Sequence, residues 1–476
     1  MVDGRSTERS ERQEHPEAGH RRIKAALFLL VCCLAGLAPH WLEEGRSLLP
    51  SLVLAGVLGT YSIRTVLLAP PGSAAAAVGS DPSGPERTGE RPTVDVLVAA
   101  RDEQAVITRL VERIARLRHP ADRLLLWVID DGSEDRTPDL LNDLQSRHPM
   151  LRVLRRSRQA GGGKSGALNL VLPQLQGRWL LVLDADADLQ EDVLERLIPW
   201  AEKGGWSAVQ LRKAVVNPDT NLLTRAQAME MAFDAVIQQG RLAAGGVAEL
   251  RGNGQLLLRE AIVSIGGFNE ATVTDDLDLS MRLLLERQPI GVLWDPPVQE
   301  EAVLTLAALW RQRQRWAEGG LQRFLDYGPG LISDRLTGSQ KADLLAFFVL
   351  QYMMPVMAAA DLAGVLATGT APAMWPFSIV ALGLSGLAIV RGCRRPSEGP
   401  PLPRMSLAAV ALGVLYLVHW FAVIPWVSLR MALFPKQLVW AKTLHLGAEG
   451  DGDIDATQNG PSAETDAELA AEGGPL

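Results

Sequence analysis

Apolar residues gather in five long stretches, Ala25–Leu42, Leu48–Leu68, Leu344–Ala367, Trp375–Val390 and Leu407–Phe434. A helix that crosses a bilayer needs roughly 20 apolar residues, and each stretch is near or above that length. Nothing comparable lies between Pro70 and Lys341. The pattern predicts two membrane helices over 25–69, a soluble domain over 93–340, and two to four more membrane helices over 341–434. Inside the soluble domain the apolar runs are short. Leu180–Leu183 is fit for a strand buried on both faces, Val94–Ala100 reads as a buried strand, and Leu124–Ile129 and Leu151–Leu154 read as two more strands. Helical runs follow the first, to about Arg118, and the second, from about Thr137. Strands alternating with helices imply an α/β fold with a mostly parallel sheet and right-handed crossovers. Pro70–Arg91, rich in Pro, Gly, Ser and Ala, is a linker that ends at residue 92.

Charge orients this plan. Arg21, Arg22 and Lys24 precede the first apolar stretch and should stay in the cytoplasm with residues 1–24. They also fit a cleaved leader, but the second apolar stretch close behind favours a hairpin. Two crossings return the chain, so the soluble domain is expected in the cytosol of a multi-pass protein. Arg391, Arg394, Arg395 and Arg404 crowd one later loop, which reads as cytoplasmic. The last stretch is ambiguous. One crossing would put Lys436 and Lys442 outside, and Pro425 could break it into a re-entrant or double pass. The net charge of −8 arises largely from the tail after Gly447, acidic from Glu449 to Glu472 and without Lys or Arg. Within 435–476 that tail reads as disordered. The remainder is near neutral, and nothing suggests nucleic-acid binding. Cys32, Cys33 and Cys393 form neither a metal-ligand spacing nor a disulfide framework.

Three of the four strands end in acids: Asp102 and Glu103, Asp130 and Asp131, Asp184 and Asp186. Ligands of open α/β sheets bind outside the carboxyl ends of the strands. Asp184 and Asp186 are spaced to offer oxygens to one hard cation and, through it, to a diphosphate; a solvated acidic turn is the plainer alternative. No GxGxxG follows the first strand, which disfavours a dinucleotide fold. Gly161-Gly162-Gly163-Lys164-Ser165 invites a P-loop reading, but Arg158 stands where that motif needs glycine. A glycine turn placing Lys164 near phosphate, or a plain surface loop, fits better. Thr274-Asp275-Asp276 opens a helical run, where Thr as N-cap and acids in the first turn would favour any helix. Gln312-Arg313-Gln314-Arg315-Trp316 lies in the helical stretch Val303–Arg323, which suits an interfacial helix with snorkelling arginines.

In order along the chain, Asp130-Asp131-Gly132-Ser133, Lys164 with Ala167-Leu168-Asn169, Asp184-Ala185-Asp186, Thr274-Asp275-Asp276 and Gln312 to Trp316 resemble the motifs of the membrane-embedded inverting glycosyltransferases. These are the cellulose- and hyaluronan-synthase-like proteins of glycosyltransferase family 2, with the GT-A nucleotide-sugar-binding fold. The resemblance implies roles. Asp131, with Arg101 and Glu103, would contact uracil and ribose, and Lys164 the phosphates. Asp184 and Asp186 would hold the nucleotide and Mg²⁺, with Mn²⁺ possible. Asp276 would be the general base, and Gln312, Arg315 and Trp316 would lie beside diphosphate and acceptor. Asp275 departs from the family's Glu, leaving the base position intact. Within the family the chain is most similar to the branch that glucosylates diacylglycerol, on the context Val273–Leu279 and on Leu438-Val439-Trp440-Ala441-Lys442-Thr443. That implies UDP-glucose, or another UDP-hexose, as donor and a lipid acceptor in the bilayer. A processive polysaccharide synthase, which would need polar residues lining its spans, and a non-catalytic scaffold remain the alternatives. Gln351, Tyr352 and Asp361 are the polar candidates in Leu344–Ala367, with Ser378 and Ser385 in the next stretch.

Overall fold

The computed structural model describes residues 16–42, 46–68 and 91–434. All but the last two residues of the expected linker over 70–92, the tail from 435, the Leu438–Thr443 segment and the first fifteen residues lie outside them. Helices α1 (Pro16–Leu37) and α2 (Leu49–Leu68) come first. The α/β part follows as β1 (Val94–Ala100), α3 (Ile107–Ala115), β2 (Leu124–Asp130), α4 (Thr137–Arg147), β3 (Leu151–Arg155), α5 (Gly163–Val171), β4 (Trp179–Leu183) and α6 (Val193–Gly204). It continues as β5 (Ala208–Val215), α7 (Leu222–Ala243), β6 (Gln255–Leu258), α8 (Arg259–Ser264), α9 (Asp275–Leu285), β7 (Ile290–Glu300) and α10 (Leu306–Leu331). The chain then returns to apolar helices α11 (Gly338–Phe348), α12 (Met354–Thr368), α13 (Trp375–Arg394), α14 (Leu407–Leu417) and α15 (Trp420–Leu433).

The seven strands form one sheet in the order β3-β2-β1-β4-β6-β5-β7. All pairings are parallel except the two made by β6. The register decides where the chemistry gathers. Ala100 pairs with Asp130, and Val98 with Leu183. The carboxyl ends of β1, β2 and β4 are therefore level, and the residues that follow them share one rim. Apolar side chains pack both sheet faces, as the near-continuous apolar runs require.

Among the described residues five helical segments are long and apolar enough to cross a membrane: His20–Trp41, Leu49–Leu68, Gly338–Thr368, Trp375–Arg394 and Leu407–Leu433. The third joins α11 to α12 through a widened turn at Val349–Met353. The fifth breaks at Val418–His419, whereas Pro425, the break expected from sequence, sits inside α15. Asp361, a candidate channel polar group, instead accepts from the backbone N–H groups of Ala373 and Met374 and from His40. It ties the start of α13 to the end of α1.

The sheet domain and the apolar helices are welded together by ion pairs and close backbone approach. Glu249, fully buried, faces three guanidiniums: Arg323 at 2.8 Å, Arg251 at 3.2 Å and Arg241 at 3.4 Å. Arg241 reaches on to Asp343 of α11 at 2.8 Å, and Asp343 accepts from the Tyr61 hydroxyl of α2 at 2.6 Å. Gly240 of α7 lies directly against the Thr65 carbonyl of α2, so a Cβ there would overlap that oxygen. Two arginines of α10 do not snorkel as the amphipathic pattern suggested: Arg313 and Arg323 are buried and ion-paired, whereas Arg311 is exposed. Leu306 and Trp310 nevertheless remain exposed on that helix.

A methyl group at position 240 must push α7 off α2, whereas Gly328 of α10 faces open space. Gly240→Ala should therefore cost about 1–3 kcal/mol and lower the melting temperature of the solubilised full chain. Gly328→Ala should leave it equal or higher, because alanine suits helix interiors better. Equal melting of the two variants would contradict the close approach.

Candidate active site

The rim above β1, β2 and β4 carries most of the residues expected from sequence. Arg101 and Glu103 follow β1, Asp184 and Asp186 follow β4, and Thr274, Asp275 and Asp276 open α9. All of them border one cavity of about 470 Å³. Lys164 joins them from α5. Gly161, Gly162 and Gly163 run consecutively at φ of +73°, +68° and +52°, a left-handed path that non-glycine residues rarely take. It turns the chain so that Lys164 Nζ donates to Asp184 Oδ1 at 2.6 Å. Burial works against the ammonium, but Asp184, Asp275 and Asp276 outweigh it and hold Lys164 well above its ordinary range.

Asp131 sits lower. It is buried beneath the rim, paired with Arg156 at 3.2 Å and more loosely with Arg101 at 3.9 Å, and it does not border the cavity. Burial pushes its carboxyl above the usual range, against the pull of Arg156 and Arg101. Its pairing with Arg101 links it to the cavity wall.

Asp276 is set by three features. Thr274 does not cap α9 with its side chain; its hydroxyl abuts Gly319 of α10, where a Cβ would overlap it. Gly252, at φ +87°, brings its backbone beside Asp276, leaving only ordinary contact distance for a Cβ at 3.5 Å. Arg251 borders the same cavity. Burial and the neighbouring Asp275 raise the Asp276 carboxyl to about 6, opposed by the Leu277 N–H, Lys164 and Arg251. A carboxylate tuned toward neutrality inside a cleft suits proton transfer.

Gln312, Arg315 and Trp316 of α10 form the facing wall. The Trp316 ring is held between the Arg313 guanidinium, 3.9 Å from its centroid, and the Lys213 ammonium at 5.4 Å. Arg313 is anchored by Glu230 and the Tyr416 hydroxyl, and Lys213 pairs with Glu300 at 2.8 Å. Below this wall the cavity continues among Tyr61 of α2, Leu350, Gln351 and Met354 around the widened turn, Leu382 of α13 and Phe421 of α15.

Lys213, Glu230, Asp234, Arg251, Glu300 and Glu301 also border the cavity and escaped the reading of the sequence. Glu300 and Glu301 had a usable signal, since they follow the largely apolar stretch Ile290–Val298, interrupted only by Asp295, as the other acids end their strands. Pro296-Pro297 hid it, because adjacent prolines argue against a strand. Arg251 precedes Gly252-Asn253-Gly254, a turn composition that could have drawn attention.

Asp184 and Asp186 suit a hard divalent cation by donor chemistry, two carboxylates on one rim. Among the described residues no group of three or more His, Cys, Asp or Glu gathers for a metal ion, so further ligands would come from phosphate oxygens and water. The Asp186 carboxylate already accepts from the Glu301 N–H at 3.2 Å.

A mostly parallel sheet, carboxylates at its strand ends and a tryptophan-bearing helix across the cleft define a nucleotide-sugar transferase of the GT-A type. Residues 92–319 match the family described as Glycosyltransferase like family 2, and the chain belongs to that family. It is 42% identical over 436 residues to a beta-monoglucosyldiacylglycerol synthase of Synechocystis sp., covering 90% of each chain. It is 40% identical over 431 residues to the synthase of that name from Nostoc sp., again with 90% of each covered. Among solved structures it resembles a mannosyltransferase from Pyrobaculum calidifontis in complex with GDP-Man and Mn²⁺, with a TM-score of 0.53. That match covers 87% of this chain and 100% of the other at 19% identity, a likeness of fold.

Proposed function

We propose that the chain is an inverting glucosyltransferase that moves glucose from UDP-glucose to the free hydroxyl of 1,2-diacylglycerol, giving β-monoglucosyldiacylglycerol. The observation that carries this reading is the charge balance of a single cavity that joins Asp276 to the apolar helices. Arg241, Arg251 and Arg323 line its membrane side, and Glu249, Asp234 and Asp343 neutralise them. A lipid phosphate acceptor would call for positive charge left over for its anion. A neutral lipid alcohol does not. The names of the relatives from Synechocystis and Nostoc agree with this acceptor. A polymer channel would need a more continuous polar path; Gln351, Tyr352 and Ser385 are interspersed with Leu350, Met354, Ala381 and Leu382.

Each rim residue then has a role. Arg101 and Glu103 face the nucleoside, with Asp131 fixing Arg101 from beneath. Lys164 and Arg315 face the diphosphate and stabilise the charge that develops on it as the glycosidic bond breaks. Asp184 and Asp186 hold a divalent cation, Mg²⁺ or Mn²⁺, which supplies Lewis-acid neutralisation of the leaving diphosphate; the fold relative is bound to Mn²⁺. Asp276 accepts the proton from the attacking hydroxyl. Trp316 and Gln312 bound the acceptor's approach, and the Trp316 ring offers a flat apolar face. A single displacement inverts the anomeric carbon, α in the donor and β in the product.

The protein is membrane-associated, and on this reading it is multi-pass with residues 93–340 in the cytosol. Arg21 pairs with Asp326 of α10 at 2.8 Å, and Lys24 donates to the Leu325 carbonyl at 2.8 Å. The basic residues before the first span thus lie on the same side as the transfer site, where the positive-inside rule puts them.

Three outcomes test the proposal. Asp276 works as a base only when ionised, and its carboxyl titrates at about 6. The rate should therefore fall as pH drops through about 6 and level off above it. Asp276→Asn should lose that limb and turn over about 10²-fold or more slowly, with donor affinity nearly unchanged. A wild-type rate from this variant would remove Asp276 from the mechanism. Reconstitution with diacylglycerol and labelled UDP-glucose should yield a chloroform-soluble lipid bearing one sugar; an insoluble polymer formed without added lipid would point to the polymerase instead. A cysteine introduced at Ser157 should resist an impermeant thiol reagent in intact cells and react after lysis, and labelling in intact cells would reverse the orientation.

A further inference from the structure

Lys164 Nζ sits 2.6 Å from Oδ1 of Asp184, a carboxylate that would hold a divalent cation on the proposed reading. The Lys164 side chain is 16% exposed and that of Asp184 42%, so the ammonium reaches the carboxylate from the protein side. Asp275 and Asp276 add negative charge around the same ammonium. An ammonium and a dication on one carboxylate repel each other, so each weakens the other's hold on it. The neighbouring rim carboxylate is engaged as well, since Asp186 accepts from the Glu301 N–H. The backbone before Lys164 is three consecutive glycines at positive φ, a conformation that other residues rarely adopt.

We propose that Lys164 and the divalent cation compete for Asp184, so that the cation is admitted only together with a nucleoside diphosphate. The diphosphate acts twice. Its oxygens offer Lys164 another anion, which draws the ammonium off Asp184. They also complete the cation's ligands, which Asp184 and Asp186 alone do not. Lys164 is in this sense a positioning residue that couples two binding events. The inference rests on the reading of Asp184 as a metal ligand. Its reciprocal is required by linkage: the cation must tighten the diphosphate by the same factor that the diphosphate tightens the cation.

The test is Mn²⁺ binding to the detergent-solubilised full chain, followed by the electron paramagnetic resonance of free Mn²⁺, with and without UDP and with no sugar transfer involved. Wild-type protein should bind Mn²⁺ weakly alone and about tenfold or more tightly once UDP is present. Lys164→Met should bind Mn²⁺ without UDP about tenfold more tightly than wild type, and UDP should tighten it by a smaller factor than in wild type. Lys164→Arg, which keeps the charge, should behave as wild type, and melting curves of both variants establish that they fold. Equal Mn²⁺ affinity of wild type with and without UDP overturns the proposal, whatever the variants do. So does a folded Lys164→Met that binds Mn²⁺ alone no better than wild type. If UDP still recruits Mn²⁺ in that case, the reading of Asp184 stands and only the competition falls. If Mn²⁺ binds no form, even with UDP, both fall.

Discussion

Glu249 and the three guanidiniums around it are the constraint on which the molecule depends. Burial alone would raise this carboxyl, but Arg323, Arg241 and Arg251 hold it down at about 2. Each guanidinium comes from a different part of the chain. Arg241 ends α7, Arg251 leads into β6, and Arg323 lies in α10. Through Asp343 and Tyr61 the cluster reaches α11 and α2. Removing one partner of a buried pair leaves an uncompensated charge, typically a loss of about 3–5 kcal/mol. The cluster does more than add stability: it fixes the height of the sheet's rim relative to the apolar helices. Arg251 sits at the junction, paired with Glu249 on one side and with Asp234 on the other. The next residue is Gly252, whose backbone lies beside Asp276.

The site therefore belongs to neither the sheet nor the membrane helices alone. Trp316 is set by Arg313, Arg313 by Glu230 of α7 and Tyr416 of α14. Thr274 is set by its contact with Gly319, and Gly320 next to it lies against the Tyr352 hydroxyl from the widened turn. A short chain of contacts thus runs from the acid pair of α9 to the apolar helices that line the lower cavity. Such turns recur at functional sites because they rotate side chains out of the regular helical pattern. Here Gln351 and Tyr352 are directed at the cavity.

What the sequence disclosed follows from where each element is buried. β1, β2 and β4 are buried along almost their whole length, so they read as apolar runs and the acids at their ends stood out, whereas the edge strand β3 carries exposed Arg152 and Arg155. β5 was hidden because it carries Arg212 and Lys213, whose charges are cancelled only in three dimensions by Asp295 and Glu300. β6 is four residues long and antiparallel, too short for any periodicity to show. β7 carries two prolines yet pairs with β5 across a register shift at Leu211 and Lys213, which spares the missing donors. Arg313 and Arg323 looked like snorkelling arginines because their partners, Glu230 and Glu249, lie far away in sequence. Local pattern reveals apolar burial; it does not reveal charges buried by distant partners, and most of the missed site residues are of that kind.

That same hidden pairing bears on selectivity. An activated sugar in a wet cleft is open to attack by water as well as by an alcohol. Beyond the Trp316 ring the cavity is bordered by apolar side chains of α11, α13 and α15 and by Arg241, Arg251 and Arg323, whose guanidiniums are paired with Glu249, Asp343 and Asp234. The burial that excludes water also raises Asp276 to about 6, which makes it a stronger base than an exposed aspartate yet still ionised at neutral pH. On the proposed reading one physical cause, enclosure by apolar helices, favours the lipid hydroxyl over water and tunes the base that activates it. The paired arginines keep this enclosure electrically neutral. Without Glu249, Asp234 and Asp343, three guanidiniums would draw anions and water to the place where an uncharged alcohol has to approach.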